Sequence, residues 1–275
     1  MTERPTQNSG LLDPMLSNAP GGLFWGLDAH ATDSSEQFRG WGHRRGEPRM
    51  LALLWSIYLF AASLVTVMQL PVLGLTEARF VQSSSRLLLM LLAVGLTVLW
   101  PMLRLSQVSP RRPCLAAWVD LFVLLVPMQA VLWPLTWLGR WDLAITGAVA
   151  LLLASWTLLL SVVVCLGTSS PSGWWRSMWM AVVLVLCGGG TLLSFVTGSA
   201  GDELVSNLAL ASPWTAIFAI TTGTSGFSPQ VTPTVWTAAS VPAGVAMVLW
   251  AIVWVSAGRV GGTGRARERM VSDQT

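Results

Sequence analysis

The chain has 275 residues, of which 53% are hydrophobic and only 11% charged, whereas a water-facing surface takes about a quarter of a domain's residues as Asp, Glu, Lys and Arg. With a mean hydropathy of +0.61, that balance excludes a disordered chain, a collagen-like fibre and a nucleic-acid module, the last despite a net charge of +3. It leaves an all-α, polytopic membrane helix bundle.

The basic residues are all Arg, with no Lys, and Trp appears 16 times against one Tyr. Together with the weight of Ala, Val, Leu and Gly, this composition looks like the product of a GC-rich bacterial genome, and the expected location is a bacterial inner (plasma) membrane. The three cysteines, Cys114, Cys165 and Cys187, are too few and too scattered to predict a disulfide framework or a metal cluster.

Residues 1–49 are polar and interrupted by Gly and Pro, and they lack the basic-then-apolar start and the cleavage site of a secretory signal. They read as a cytoplasmic tail in which Gly22 to Leu27 and Phe38 to Trp41 could rest in the membrane interface. A helix crosses the hydrocarbon core with about 20 apolar residues. Six stretches qualify: Met50 to Leu70, Arg86 to Ser106, Cys114 to Thr136, Leu143 to Gly167, Trp174 to Thr197 and Val235 to Ala257. They define a transmembrane domain over 50–257, followed by a basic cytoplasmic tail over 258–275.

A seventh apolar stretch, Leu204 to Thr222, is broken by Asn207 and Ser212-Pro213 and has no Arg at its flanks. Arginine counting assigns it. With six spans and both ends inside, 13 Arg face the cytoplasm, and only Arg79, Arg86 and Arg140 lie outside, as the positive-inside rule requires. A seventh span would shift the split to 9 against 7. The stretch is therefore predicted as a re-entrant or interfacial segment on the outer face between the fifth and sixth spans. Trp133, Trp137 and Trp141 at one turn, and Trp174, Trp175 and Trp179 at the opposite side, read as interfacial belts.

Asp120 is the carboxylate well inside a predicted span, where a charge costs roughly 2.5–3.5 kcal/mol on insertion scales and calls for a partner or a function. Arg104, Arg111, Arg112 and Arg176 are its candidate partners, and a packing role outweighs a functional one. Gln129, nine residues further along the same span, could extend a polar track. Pro101, Pro127, Pro134, Pro242 and Gly188 to Gly190 are positions for kinks or close backbone approach.

Gly223-Thr224-Ser225-Gly226 resembles the Gly-x-Ser-Gly motif of rhomboid-type intramembrane proteases. A serine nucleophile needs a base, and the two histidines, His30 and His43, belong to the tail predicted on the opposite face. A chain without Lys cannot form a Walker-type phosphate loop, and neither a His-Glu-x-x-His helix nor a Cys-x-x-Cys pair is present. No catalytic, cofactor or metal residues are assigned, and the expectation is a non-enzyme.

Six spans, both ends inside and an outer re-entrant stretch whose Ala211-Ser212-Pro213-Trp214-Thr215-Ala216-Ile217-Phe218 is similar to a small-Pro-x-x-Ala-hydrophobic run preceding the last span: this layout resembles the permease subunit of ABC-2 type transporters. The resemblance implies a homo- or hetero-oligomeric permease, embedded in membrane lipid and driven by a separate ATP-binding cassette subunit, with Arg111 and Arg112 in the docking loop. A structural or scaffold subunit of a larger membrane complex is the alternative. A carrier coupled through Asp120 ranks last, because no internal repeat marks inverted halves.

Overall fold

The computed structural model describes residues 48–72, 78–107, 110, 112–139, 141–170, 172–197, 210–222 and 231–272. Among them every element is a helix: α1 (Pro48–Val72), α2 (Ala78–Val94), a π-helical segment (Gly95–Leu99), α3 (Trp100–Ser106), α4 (Pro113–Leu132), α5 (Pro134–Gly139), α6 (Leu143–Ser169), α7 (Gly173–Thr197), α8 (Pro213–Thr221) and α9 (Pro233–Ser272). Among the described residues six stretches are long and apolar enough to cross a membrane: Arg49–Met68, Gln82–Ser106, Pro113–Gly139, Leu143–Ser169, Gly173–Leu192 and Pro233–Ser256. They coincide with the six predicted stretches to within a few residues. The chain is a multi-pass helical protein built for a bilayer. The predicted N-terminal tail lies outside the described residues, and the helix of the sixth span continues through the predicted C-terminal tail to Ser272.

The pairing of side chains gives the direction of each span. Tyr58 meets Leu91, and Trp55 lies against Gly95, so α1 and α2 run antiparallel. Trp55 also donates from Nε1 to the Leu124 carbonyl at 3.0 Å, and Thr66 shares a crevice with Val131, so α4 runs parallel to α1. Along α6, Gly147 faces Trp236, Ser155 bonds Ala239 and Ser161 bonds Trp250, so the last span runs alongside α6 in the same direction.

α6 is the central post, with 72% of its apolar window buried, whereas α7 is peripheral at 11%. The outer helices divide by face: α1 buries Leu51, Trp55, Leu59 and Ala62 at helical spacing while Leu53, Ile57, Phe60 and Met68 point outward. In water such a face would be a liability. In lipid it is the expected exterior, because hydrocarbon tails solvate it and packing, rather than hydrophobic exclusion, holds the helices together.

The π-helical turn has a local cause. Pro101 has no N–H to return to the Thr97 carbonyl four residues back, so the α-helical ladder cannot close there; Trp100 N–H instead reaches five residues back to the Gly95 carbonyl, the wider loop of a π-bulge. Gly95 is required by its neighbours. A Cβ there would stand 2.5 Å from Tyr58 Cε1 and 2.9 Å from Trp55 Cζ3, so the stacked Trp55 and Tyr58 rings close directly over the helix backbone.

Two expectations are corrected. Cys114 and Cys165 form a disulfide although 51 residues separate them: α4 starts and α6 ends at the same end of the bundle, which brings two scattered cysteines to a Cα distance of 4.9 Å. The tryptophan belts are also incomplete. Trp137 and Trp174 are exposed at 85% and 81%, but Trp141 is buried at 7%, its ring lying under Gly139.

Candidate functional site

Polar side chains gather at three depths of the bundle. At the end where α3 finishes and α4 begins, Asp120 is 1% exposed and is held by Arg104, whose Nε and Nη2 each donate to one carboxylate oxygen. Trp100 Nε1 approaches Asp120 Oδ2 at 3.5 Å. Arg104 Nη1 donates to Gln107 Oε1 at 2.9 Å, and Arg176 Nη1 donates to the Gln107 carbonyl at 2.8 Å. Of the four arginines considered for Asp120, Arg104 makes the ion pair, and Arg176 reaches the same knot through Gln107. Two-point Arg–carboxylate geometry satisfies most of both groups at once, which is what a charge pair withdrawn from water needs in order to be tolerated.

Gln129 is half-buried on α4, and nine residues along a helix put it about 13 Å from Asp120. No side-chain hydrogen bond joins the two. Arg112 is exposed at the start of α4, and Arg111 lies outside the described residues, as do Ser225 and its flanking glycines.

The second cluster lies deep in the bundle, where α8 meets the π-helical segment and α7. Trp214 Nε1 donates to Thr97 Oγ1 at 3.2 Å, and Thr97 Oγ1 bonds the Ala93 carbonyl at 2.7 Å. Cys187 Sγ contacts the Thr97 carbonyl at 3.6 Å, which is the carbonyl that Pro101 deprives of its helical donor. Ser212 Oγ donates to the Cys187 carbonyl at 2.7 Å and lies 3.2 Å from Thr191 Oγ1. Gly190 makes this approach feasible, because a Cβ there would come within 2.8 Å of Ser212 Cβ. Of the glycine triplet, it is Gly190 that lets a neighbour's backbone come close.

The third group is at the far end of α8. Arg86, near the start of the second span, donates from Nη2 to the Thr221 carbonyl at 2.7 Å. α8 therefore extends from the level of Thr97 to the level of Arg86, eleven residues or roughly 16 Å along the second span, a distance close to its own length. Ser212, Pro213, Ala216, Ile217 and Thr221 are buried along it, and Phe218 is exposed. Of the predicted segment Leu204 to Thr222, residues 204–209 lie outside the described residues.

A crevice of about 250 Å³ opens between α1, α2, α4 and α5, with Ser63, Thr66, Ser84 and Ser85 set among Val67, Leu88 and Leu135. Of the residues singled out from the sequence, Pro134 lines it. Sequence reasoning also missed the Thr97–Ser212–Trp214 cluster; its signals were Pro101 inside a span and Ser212-Pro213 inside an apolar run.

No family model matches the chain, and no curated protein or solved structure matches it.

Proposed function

We propose that the chain is the membrane-embedded permease subunit of an ABC-type transporter, resident in a bacterial plasma membrane and moving substrate when a separate ATP-binding cassette protein docks on its cytoplasmic side. In this reading both chain ends are cytoplasmic, Arg111 and Arg112 belong to the docking loop, α8 is the upper limb of a segment that re-enters from outside, and the working unit contains two permease subunits.

The observation that carries the reading is the seat of α8. A nine-residue helix that ends at Arg86 and starts beside Thr97 stops part-way through the bundle, and a chain that stops at such depth is tolerated where protein covers it. The alternation of span directions and the 13 to 3 arginine asymmetry support a common cytoplasmic side for both ends.

The test is co-purification from the native membrane. An ATP-binding cassette protein should accompany the full chain, and Arg111→Glu with Arg112→Glu should release it while leaving insertion intact. Retention of the ATPase by that variant, or a stable chain with no ATPase at all, overturns the assignment.

A second reading, a non-catalytic scaffold subunit, is favoured by the Asp120–Arg104 pair, which is buried and tied to its neighbours through Gln107. It predicts stoichiometric partners that lack any ATPase. The same buried pair speaks against a carrier cycling protons through Asp120.

A further inference from the structure

Arg86 is a cation set within a membrane-crossing window that begins at Gln82, and its guanidinium is only partly used. Nη2 bonds the Thr221 carbonyl, while Nε is buried with no hydrogen-bond partner among the described residues. Arg carries five N–H donors in a fixed fork, and a buried N–H that neither protein nor water satisfies is costly. Asp120 is held by Arg104, and Asp142 is exposed at the start of α6; neither pairs with Arg86. The other buried, unpartnered side-chain atoms belong to Trp141, Thr146, Trp156 and Trp179, all of them neutral. Among the described residues, Arg86 alone combines a buried, unmet donor with a charge that no carboxylate pairs.

The position selects the ligand chemistry. Arg86 opens the apolar run of the second span, at the level where lipid phosphates meet the hydrocarbon. The C-terminal carbonyl of α8 holds one arm of the fork and contributes only a fraction of a negative charge. Guanidinium prefers a planar or tetrahedral oxyanion that can take two of its N–H groups.

We infer that Arg86 is a binding site for a phosphate-type oxyanion at this face of the bundle, with the α8 terminus positioning the fork. The source is either a lipid head group or a soluble anion. The inference rests on the membrane placement of the second span and not on the transporter assignment, so it stands if no ATPase partner is found.

The full chain is reconstituted in nanodiscs, and its thermal unfolding is followed by tryptophan fluorescence. One arm raises the phosphatidylglycerol content of a phosphatidylcholine bilayer; the other titrates inorganic phosphate into a purely phosphatidylcholine bilayer. A ligand that binds only the folded state raises the midpoint with concentration. Wild type should shift upward in at least one arm, and the responding arm names the source. Arg86→Gln should lose the shift, its apparent affinity falling roughly tenfold or more. Arg86→Lys should keep part of it, and Arg112→Gln should keep all of it. No shift in wild type, an undiminished shift in Arg86→Gln, or an equal loss in Arg112→Gln overturns the site. If Arg86→Gln does not fold, Arg86→Lys decides: retention of the full wild-type response shows that the Nε–Nη fork is not the receptor.

Discussion

Arg104 grips Asp120 with two donors on two oxygens, and the pair is shut inside the bundle between α3 and α4. Removing one partner leaves a buried, uncompensated charge, which costs about 3–5 kcal/mol, whereas replacing both by apolar residues of similar size is often neutral. Asp120→Ala and Arg104→Ala should each lower the thermal midpoint sharply, and Asp120→Leu with Arg104→Met should recover most of the loss. A cycle of these variants in detergent or nanodiscs measures it. If the double variant is as unstable as the sum of the single ones, the two residues do not act as a pair.

Gly95→Ala places a methyl group where the rings of Trp55 and Tyr58 already lie. Overpacking of this kind costs roughly 1–3 kcal/mol. Tyr58→Ala in the same chain should relieve part of the cost although it also removes the bond from Tyr58 to the Leu91 carbonyl. Chemical unfolding of the two single variants and the double variant reads the compensation. Additive losses would show that the ring is not what excludes the methyl.

Gly190→Ala should loosen α8, since the added carbon meets Ser212. Ser212→Gly removes the obstruction but also the hydrogen bond to the Cys187 carbonyl, worth about 1 kcal/mol. The double variant should therefore be no worse than Gly190→Ala alone. Hydrogen exchange over 213–221 reports the outcome, with faster exchange expected in Gly190→Ala; unchanged exchange there would contradict the close contact.

Non-reducing peptide mapping should recover Cys114 and Cys165 joined and Cys187 as a free thiol. Cross-linking a loop of this size restricts an unfolded chain by up to about 4 kcal/mol in the chain-entropy account. Cys114→Ser with Cys165→Ser should accordingly lower the unfolding midpoint under oxidising conditions, and a strong reductant should bring wild type down to the same value. Equal midpoints for the variant and oxidised wild type would remove the cross-link as a stabilising element.

The spans were legible because twenty apolar residues in a row have few alternatives, and their ends agree with the structure to within a few residues. Asp120 stood out because a carboxylate in hydrocarbon needs a reason. What the sequence left open was the choice among four arginines, since that depends on how α3 and α4 are rotated against each other and not on spacing within either. The cysteine pair was illegible for the same reason: 51 residues of intervening chain say nothing about two helix ends meeting. Trp141 was misplaced because an aromatic residue at a span edge looks the same in sequence whether it faces lipid or folds back under Gly139. Pro101 could be seen, but its effect on Thr97, and through Thr97 on Trp214 and Cys187, exists only once α7 and α8 are in position.

The wide turn at Gly95–Leu99 also acts as a phase shifter. The surplus residue of a wide turn changes the angle at which everything beyond it is presented, so the two halves of the second span present different sides to the rest of the protein: the Arg86 half packs on α8, while the Arg104 half packs on α6 and α7 and reaches Asp120 of α4 through its long side chain. Restoring the missing donor with Pro101→Ala would let the ladder close and turn Arg104 relative to Asp120. One crossing thus serves two clients that an uninterrupted rod could not face together.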